Sequence, residues 1–304
     1  MSTFKKFYNK RPVLITGGAG FIGSSLVEAL VSAGASVTIL DDFSSGTIDN
    51  IAHIQHKIKI IVGDITNKTI CLLATRNQTH IFHLAARISV QESEEKRDLY
   101  EQVNILGTQN LLEAAVLNNV KKFIFSSSAA VYGNQDTKCS ETLLLKPESF
   151  YAETKKLGEE LCQKLSAESK LIAVCLRYFN VDGSRKKTIS NYTSVIPIFT
   201  KKLSSGLPLT IFGDGLQTRD FVDVDEIVSA NLMAGFFPYT KAEIINIASG
   251  KSTTLLELID QIAKRLQCKK TPIIFMPPRN GDIVKSEADC KKYMLLKKNC
   301  ENNQ

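Results

Sequence analysis

Tyr151 and Lys155 stand four residues apart in YAETK, which puts a phenol and an ammonium on one face of any helix containing them. A nearby positive charge favours the phenolate, and lowering a phenol from its ordinary value of about 10 towards neutrality makes it a general base. The pair alone says little, because this spacing arises by chance in many helices. Support comes from FIFSSSAAVYG at 123–133. It reads as an apolar strand ending in Ser126, Ser127 and Ser128, whose hydroxyls are expected at the strand's carboxyl end, with Ser128 able to hydrogen-bond a reacting oxygen.

A second chemical segment is TGGAGFIG at 16–23. Gly17 permits a tight turn, Gly20 lets backbone approach a pyrophosphate, and Gly23 lets the helix that opens at Phe21 and Ile22 pack on the sheet; the helix N-terminus favours negative charge. The following strand ends in Asp41, 18 residues beyond Gly23. A carboxylate there accepts from a ribose 2′-hydroxyl and repels a 2′-phosphate, which favours NAD over NADP. Asp64, in VGDI, has two readings: an acceptor for an adenine amino group, or a helix cap near Thr66.

These groups need elements to hold them. Val13–Ile15, a glycine turn and an amphipathic Phe21–Ala33 ending at Gly34 predict strand, loop and helix. Further strands are predicted at Val37–Leu40, Ile58–Val62, Ile81–Leu84, Phe123–Ser126 and Leu171–Leu176, with helical patterns before the last three. Strands separated by helices imply an α/β, doubly wound parallel sheet with ligands at its carboxyl edge. Seven of the eight prolines lie at or beyond Pro147. After Asn180 the elements shorten, with strands at Leu209–Phe212 and Ile244–Ile247 and a helix at Thr253–Leu266. The division expected is therefore residues 1–180 for the dinucleotide and 181–304 for a smaller α/β substrate lobe interleaved with it.

The 304 residues, 43% hydrophobic and 23% charged, fall in the globular range. No leader-like or membrane-spanning run is present, so a cytoplasmic location and no membrane partner are expected. Seven cysteines without a CxxC pair read as free thiols. The net charge of +7 is spread as lysine doublets rather than one stripe; that argues against nucleic acid and suits an anionic small molecule. The pairs His53 with His56 and His80 with His83 invite a metal reading, but no cysteine or carboxylate completes a set and no metal is expected.

The ordered motifs TGGAGFIG, DDFSSG at 41–46, HLAA at 83–86, VNILGT at 103–108, SSSAAVYG, YAETK, RYFN at 177–180, FGDGLQTRDFVDV at 212–224 and PPRNGD at 277–282 together resemble the extended short-chain dehydrogenases. Within that NAD-dependent epimerase/dehydratase group the chain is most similar to UDP-glucose and UDP-N-acetylglucosamine 4-epimerases. The resemblance implies a Rossmann fold, bound NAD and a catalytic set of Ser128, Tyr151 and Lys155. It implies a cofactor lining of Gly17, Gly20, Phe21, Ile22, Gly23, Asp41, Asp42, Phe43, Ser44, Asp64, Ile65, Leu84, Ala85, Ala86, Asn104, Ser126, Ser127, Tyr151, Lys155 and Tyr178. A UDP-sugar would meet Ser128, Asn180, Ser194, Val195, Thr210, Phe212, Arg219, Arg279, Asp282 and Ser286, the arginines matching phosphate oxygens with their fixed fork of donors.

The reaction so implied removes the proton of the sugar 4-hydroxyl through Tyr151 and passes a hydride from carbon 4 to NAD. A 4-keto sugar turns in the pocket and is reduced on its other face. Dehydratases and decarboxylases of the group carry an acid just before VYG, where this chain has Ala129 and Ala130, so simple inversion is preferred over those reactions. The joint presence of Ser128, Tyr151 and Lys155 argues against a non-catalytic NAD-binding regulator, and another NAD-dependent nucleotide-sugar-modifying enzyme, such as a reductase, is the alternative. The small Ser286, at a position that gates the sugar pocket in this family, points to UDP-GlcNAc, with UDP-glucose as a further substrate. The resemblance also implies a homodimer through the helices around 103–117 and 151–165, and a place in polysaccharide biosynthesis or galactose metabolism. The chain departs from the family in SFYAETK for SPYGxSK, in VDG at 181–183 for VYG, and at its C-terminal end, where a closing helix is expected to be missing.

Overall fold

The computed structural model describes residues 2–183, 195–278 and 283–302. Seven strands form one all-parallel sheet: β1 (Pro12–Thr16), β2 (Ser36–Asp41), β3 (Lys59–Val62), β4 (His80–His83), β5 (Lys122–Ser128), β6 (Ile172–Tyr178) and β10 (Glu243–Ile247). Their order is β10-β6-β5-β4-β1-β2-β3. β2 and β3 step outward on one side of β1, and the chain then returns to lay β4 on its other side. That reversal opens a crevice at the carboxyl ends of β1 and β4, the place where such sheets bind ligands.

Both faces of the sheet are covered, so its inner strands β1, β4, β5 and β6 are buried almost end to end rather than alternately. Val13, Ile15, Phe82, Ile124 and Val174 pack on one side with helices Phe21–Ser32 and Val224–Phe236. Leu14, Ile81, Phe123, Phe125 and Cys175 pack on the other with Lys68–Thr75, Gly107–Leu117 and Phe150–Glu168. The predicted strands and helices of the first 180 residues are all found.

Two small sheets complete the fold. β7 (Asn180–Asp182) runs parallel to β9 (Thr218–Asp223), whose other neighbour is the antiparallel β11 (Ser252–Thr254). β8 (Leu209–Phe212) pairs with β12 (Ile273–Met276). Helices Val195–Ser204 and Leu255–Leu266 bury Ile196, Phe199, Ile259 and Ile262 against Leu209 and Ile211, giving this part its own small core. A full capping box at Thr254 and Glu257 starts the second of these helices. The strand at 243–247, grouped by its position in sequence with the smaller lobe, instead lies in the large sheet beside β6. The apolar run IINI finds its parallel partner there.

The segment around Met294 forms the helix Lys291–Asn302, which buries Tyr293, Leu296 and Cys300. A short N-terminal helix, Ser2–Tyr8, sends the Tyr8 hydroxyl to the Leu232 carbonyl at 2.8 Å. All seven cysteines are free. No helix among the described residues is long and apolar enough to cross a membrane.

His80 and His83 are core groups. His83 sits between the hydroxyls of Thr16, at 2.7 Å, and Thr108, at 2.9 Å; His80 meets Thr79 and the Gly235 carbonyl. Burial pushes both imidazoles down to about 3. Their folded pKa lies below the unfolded value of about 6.5, so the stability they contribute is fully present above that pH and is lost as pH falls towards 3. Urea unfolding measured between pH 7.5 and 4 should therefore show a loss of stability on acidification that is shallower in His83→Gln than in the parent, since glutamine takes up no proton when the chain unfolds. Equal slopes would assign the acid sensitivity elsewhere.

Candidate active site

The crevice is built first from glycine. Gly17 has φ +69°, and a Cβ on it would lie 2.7 Å from the Ala85 backbone nitrogen. The turn after β1 and the HLAA segment after β4 therefore touch through bare backbone, with the Leu84 and Ala85 amides reaching Thr16. A Cβ on Gly23 would meet the Gly17 carbonyl oxygen, whereas one on Gly20 meets only that oxygen, at 3.3 Å, and otherwise enters open space. Gly20 caps helix Phe21–Ser32 with no side-chain bond, and the first turn holds no acidic residue. A positive helix end and space above Gly20 fit a dinucleotide pyrophosphate. Phe21 and Ile22 begin this helix, with Ile22 packed against the core.

Asp41 closes the same loop. Its Oδ2 accepts from Ala19 N at 2.8 Å and its Oδ1 from Phe43 N at 2.9 Å. Burial pushes this carboxyl up and the two amide bonds oppose that. Phe43 takes φ +55°, an uncommon conformation for a bulky residue, and Asp42 ties down Ser44 through the Ser44 amide and hydroxyl. The strained turn 41–44 is thus held on both sides, as at many ligand clamps. Asp64 accepts from Thr66 N, while the cap of the next helix is Asn67, not Asp64. Ile65 turns its side chain into the core, leaving only backbone for a ligand.

The catalytic candidates meet across β5 and the helix Phe150–Glu168. Ser149 caps this helix, accepting from Ala152 N, and Glu94 and Ser93 accept from the amides of Phe150 and Tyr151. The helix start is thereby fixed, each bond of this kind contributing about 1 kcal/mol. The Ser128 side chain lies near enough to the Tyr151 phenol to favour its ionised form. Lys155 is buried, with Nζ 2.9 Å from the Ser126 carbonyl oxygen and 6.0 Å from the Tyr151 ring centroid. Asn104 lies in a π-helical segment, Glu101–Leu106, a distortion frequent at functional sites. Its amide spans the Arg87 backbone and the Thr154 hydroxyl, 3.0 Å away, next to Lys155.

Two expectations change. Burial pushes the Tyr151 phenol up to about 12, with Ser128 only partly opposing it, and lowers Lys155 to about 8, with Cys162 and Glu159 opposing. Spacing alone therefore does not make the phenol acidic, because desolvation disfavours both charged forms. Nor do all three serine hydroxyls face the crevice. Ser126 meets the Tyr178 hydroxyl at 3.1 Å, itself held by Asn231, but Ser127 points to the opposite face of the strand and reaches Glu159 Oε1 at 2.5 Å.

Glu159 and Arg177 were missed as site residues. They form a forked pair, Nε to Oε1 at 2.9 Å and Nη2 to Oε2 at 2.6 Å, with side chains 3% and 2% exposed respectively. Arg177 continues to the Tyr132 hydroxyl, and that hydroxyl to Asn246 on β10. The available signal was spacing, since Glu159 lies four residues beyond Lys155 on the same helix face.

On the substrate side, Arg219 and Asn180 lie on the adjacent strands β9 and β7, and Asn180 Nδ2 donates to the Asp220 carbonyl at 3.2 Å. Ser286 is 7% exposed and is tied to β9 and β11 through Thr218 and Ser252. Thr210 and Phe212 alternate with the buried Leu209 and Ile211, so they face away from the small core. Val195 opens the helix Val195–Ser204. Ser194, Arg279 and Asp282 lie outside the described residues. Among the described residues no group of three or more His, Cys, Asp or Glu is placed to hold a metal.

Comparison with known proteins agrees with this geometry. The model of the NAD dependent epimerase/dehydratase family matches residues 13–248. A putative UDP-glucose 4-epimerase of Methanocaldococcus jannaschii is 36% identical over 287 residues, covering 93% of this chain and 92% of the relative. A solved UDP-N-acetylglucosamine 4-epimerase from Methanobrevibacter ruminantium, in complex with UDP-N-acetylmuramic acid, superposes with a TM-score of 0.90 at 37% identity, covering 95% and 92% of the two chains. The UDP-glucose 4-epimerase of Thermus thermophilus, solved in complex with NAD, gives 0.85 at 33% identity, covering 93% and 92%. With its glycine loop, its Ser128–Tyr151–Lys155 arrangement and this similarity over nearly all of its length, the chain belongs to the NAD dependent epimerase/dehydratase family.

Proposed function

We propose that this protein is an NAD-dependent UDP-sugar 4-epimerase that inverts carbon 4 of a UDP-hexose or UDP-N-acetylhexosamine through a transient 4-keto sugar. The observation that carries the reading is the buried Lys155, its Nζ held by the Ser126 carbonyl at the carboxyl edge of β5, one helical turn from Tyr151 on the same helix and next to the crevice that fits a dinucleotide. Residues 1–180 supply the cofactor side and 181–304 the nucleotide-sugar side.

The pyrophosphate would rest on the Gly17–Gly23 loop and the adenosine ribose against Asp41, with Asn104, Leu84–Ala86 and Tyr178 along the inner end. Bound there, NAD would supply the hydride acceptor for carbon 4 and a cationic ring that favours the phenolate. Tyr151 takes the proton from the sugar 4-hydroxyl and later returns it, while Ser128 donates to the same oxygen as it becomes a carbonyl. Lys155, held by the Ser126 carbonyl, contributes positive charge beneath the phenol. Ala129 and Ala130 occupy a half-buried turn after Ser128, and neither can protonate a leaving group. Arg219 and Asn180, with Arg279, hold the nucleotide and its diphosphate.

The protein is proposed to act in the cytoplasm, in polysaccharide biosynthesis or galactose metabolism, and as a homodimer through the helices around 103–117 and 151–165. Leu106, Leu117 and Leu157 are exposed in these helical stretches, which suits a second copy of the chain.

Tyr151→Phe should lower UDP-sugar interconversion by about 10²–10⁴-fold while the folded protein retains its cofactor. Unchanged turnover would remove Tyr151 as the base, and a parent protein with no turnover on UDP-glucose or UDP-GlcNAc would favour a non-catalytic NAD-binding role. Because Lys155 loses its proton near pH 8, its charge is present below that pH and absent above it. The rate profile should therefore fall on an alkaline limb near pH 8, and Lys155→Met should abolish that limb along with most of the activity. Replacing Ser286 by Tyr should reduce turnover of UDP-GlcNAc at least about tenfold more than that of UDP-glucose; parallel losses would dismiss Ser286 as the gate.

A further inference from the structure

Asp220 lies in the middle of β9, between strands β7 and β11, and is 0% exposed. Its Oδ1 accepts from the Ser249 amide at 2.9 Å and the Ser249 hydroxyl at 2.7 Å. Its Oδ2 accepts from the Gly250 amide at 3.0 Å and the Ala288 amide at 3.4 Å. Four donors from two separate loops therefore converge on one carboxylate. It makes no ion pair with any described residue, and burial raises its pKa while these donors oppose the rise. A buried charge held only by neutral donors is a costly arrangement, and it persists where the segments it joins must keep one geometry.

Those segments carry the proposed substrate contacts. Arg219 precedes Asp220 on β9 and sends Nη1 to the carbonyls of Thr218 and Ile283. The Asp220 carbonyl accepts from Asn180 Nδ2. Ala288, held by the Asp220 carboxylate, is two residues beyond Ser286, whose own amide and carbonyl are tied to Thr218 and Ser252. The loop at 249–250 turns with Gly250 at φ +74°, directly after β10 of the large sheet.

We infer that Asp220 is a positioning residue for the nucleotide-sugar site, its carboxylate locking together β9 and the two loops so that Arg219, Asn180 and Ser286 face one bound nucleotide. The inference rests on the functional reading above. It does not involve the proton relay of Tyr151, which lies on another element. An Asn at this position would direct an amide N–H towards one pair of the four donors, breaking at least one backbone bond to the loops and loosening them.

The test is to compare the parent with Asp220→Asn and the milder Ser249→Ala, measuring UDP affinity by calorimetry, KM and kcat with UDP-glucose and UDP-GlcNAc, and NAD content. Asp220→Asn should weaken UDP binding and raise KM about tenfold, with kcat within about threefold and NAD content unchanged. Ser249→Ala, which removes one of the two Oδ1 donors, should move KM in the same direction by about threefold; it decides the matter if Asp220→Asn does not fold. Unchanged UDP affinity and KM in a folded variant, or a loss confined to kcat, would overturn the inference while leaving the epimerase reading intact. A parent that binds no UDP would overturn both.

Discussion

The forked contact between Glu159 and Arg177 is the constraint on which the rest of the site depends. It joins the helix that carries Tyr151 and Lys155 to β6, and through the Ser127 hydroxyl to β5. Ser127 lies between the two residues that matter most on that strand: Ser126, whose carbonyl holds Lys155, and Ser128, which lies beside the Tyr151 phenol. One buried ion pair therefore fixes the sliding of helix against sheet, and with it the meeting of phenol and serine. Removing one partner of such a pair leaves an uncompensated buried charge, at a cost of about 3–5 kcal/mol. The pair reaches further, through Tyr132 and Asn246, to the outermost strand of the sheet.

Burial works against ionisation in the same place. The water-poor environment that sharpens hydrogen bonds also raises the phenol and lowers the ammonium, so protein groups alone leave Tyr151 a weak acid. The residues prepare geometry, and the charge balance is completed by what the crevice binds. This fits a family whose cofactor carries a cationic nicotinamide ring when oxidised. Asn104, in its widened helix turn, adds a second tether between the HLAA side of the crevice and Thr154. The cofactor wall and the catalytic helix are thus held to each other as well as to the sheet.

The proposed division at residue 180 does not separate two folding units. The strand at 243–247 belongs to the large sheet, and the helices at 224–236 and 291–302 pack on its core. The substrate-side sheet β7-β9-β11 is short and has two of its three strands drawn from beyond residue 215. Its shape relies on side chains such as Asp220, because three-residue strands supply few backbone bonds of their own.

Much was legible in the residues. Apolar runs separated by helical patterns marked the six large-sheet strands of the first 180 residues, since parallel strands covered on both faces read as continuously apolar. The glycine loop declared its own turn, because Gly17 and Gly23 stand where backbone touches backbone, and the order of nine short motifs carried the family. What those patterns do not contain is the facing of side chains and the partners they meet across long separations. That Ser127 turns away from Ser126 and Ser128, that Arg177 finds Glu159, that Asp220 gathers Ser249 and Ala288, and that a strand from 243–247 returns to the large sheet were decided only by the tertiary structure. Local spacing specifies what a residue is able to do within its own element; which charges are buried together, and how far each pKa moves, depends on the desolvation and contacts that arise only when distant elements pack.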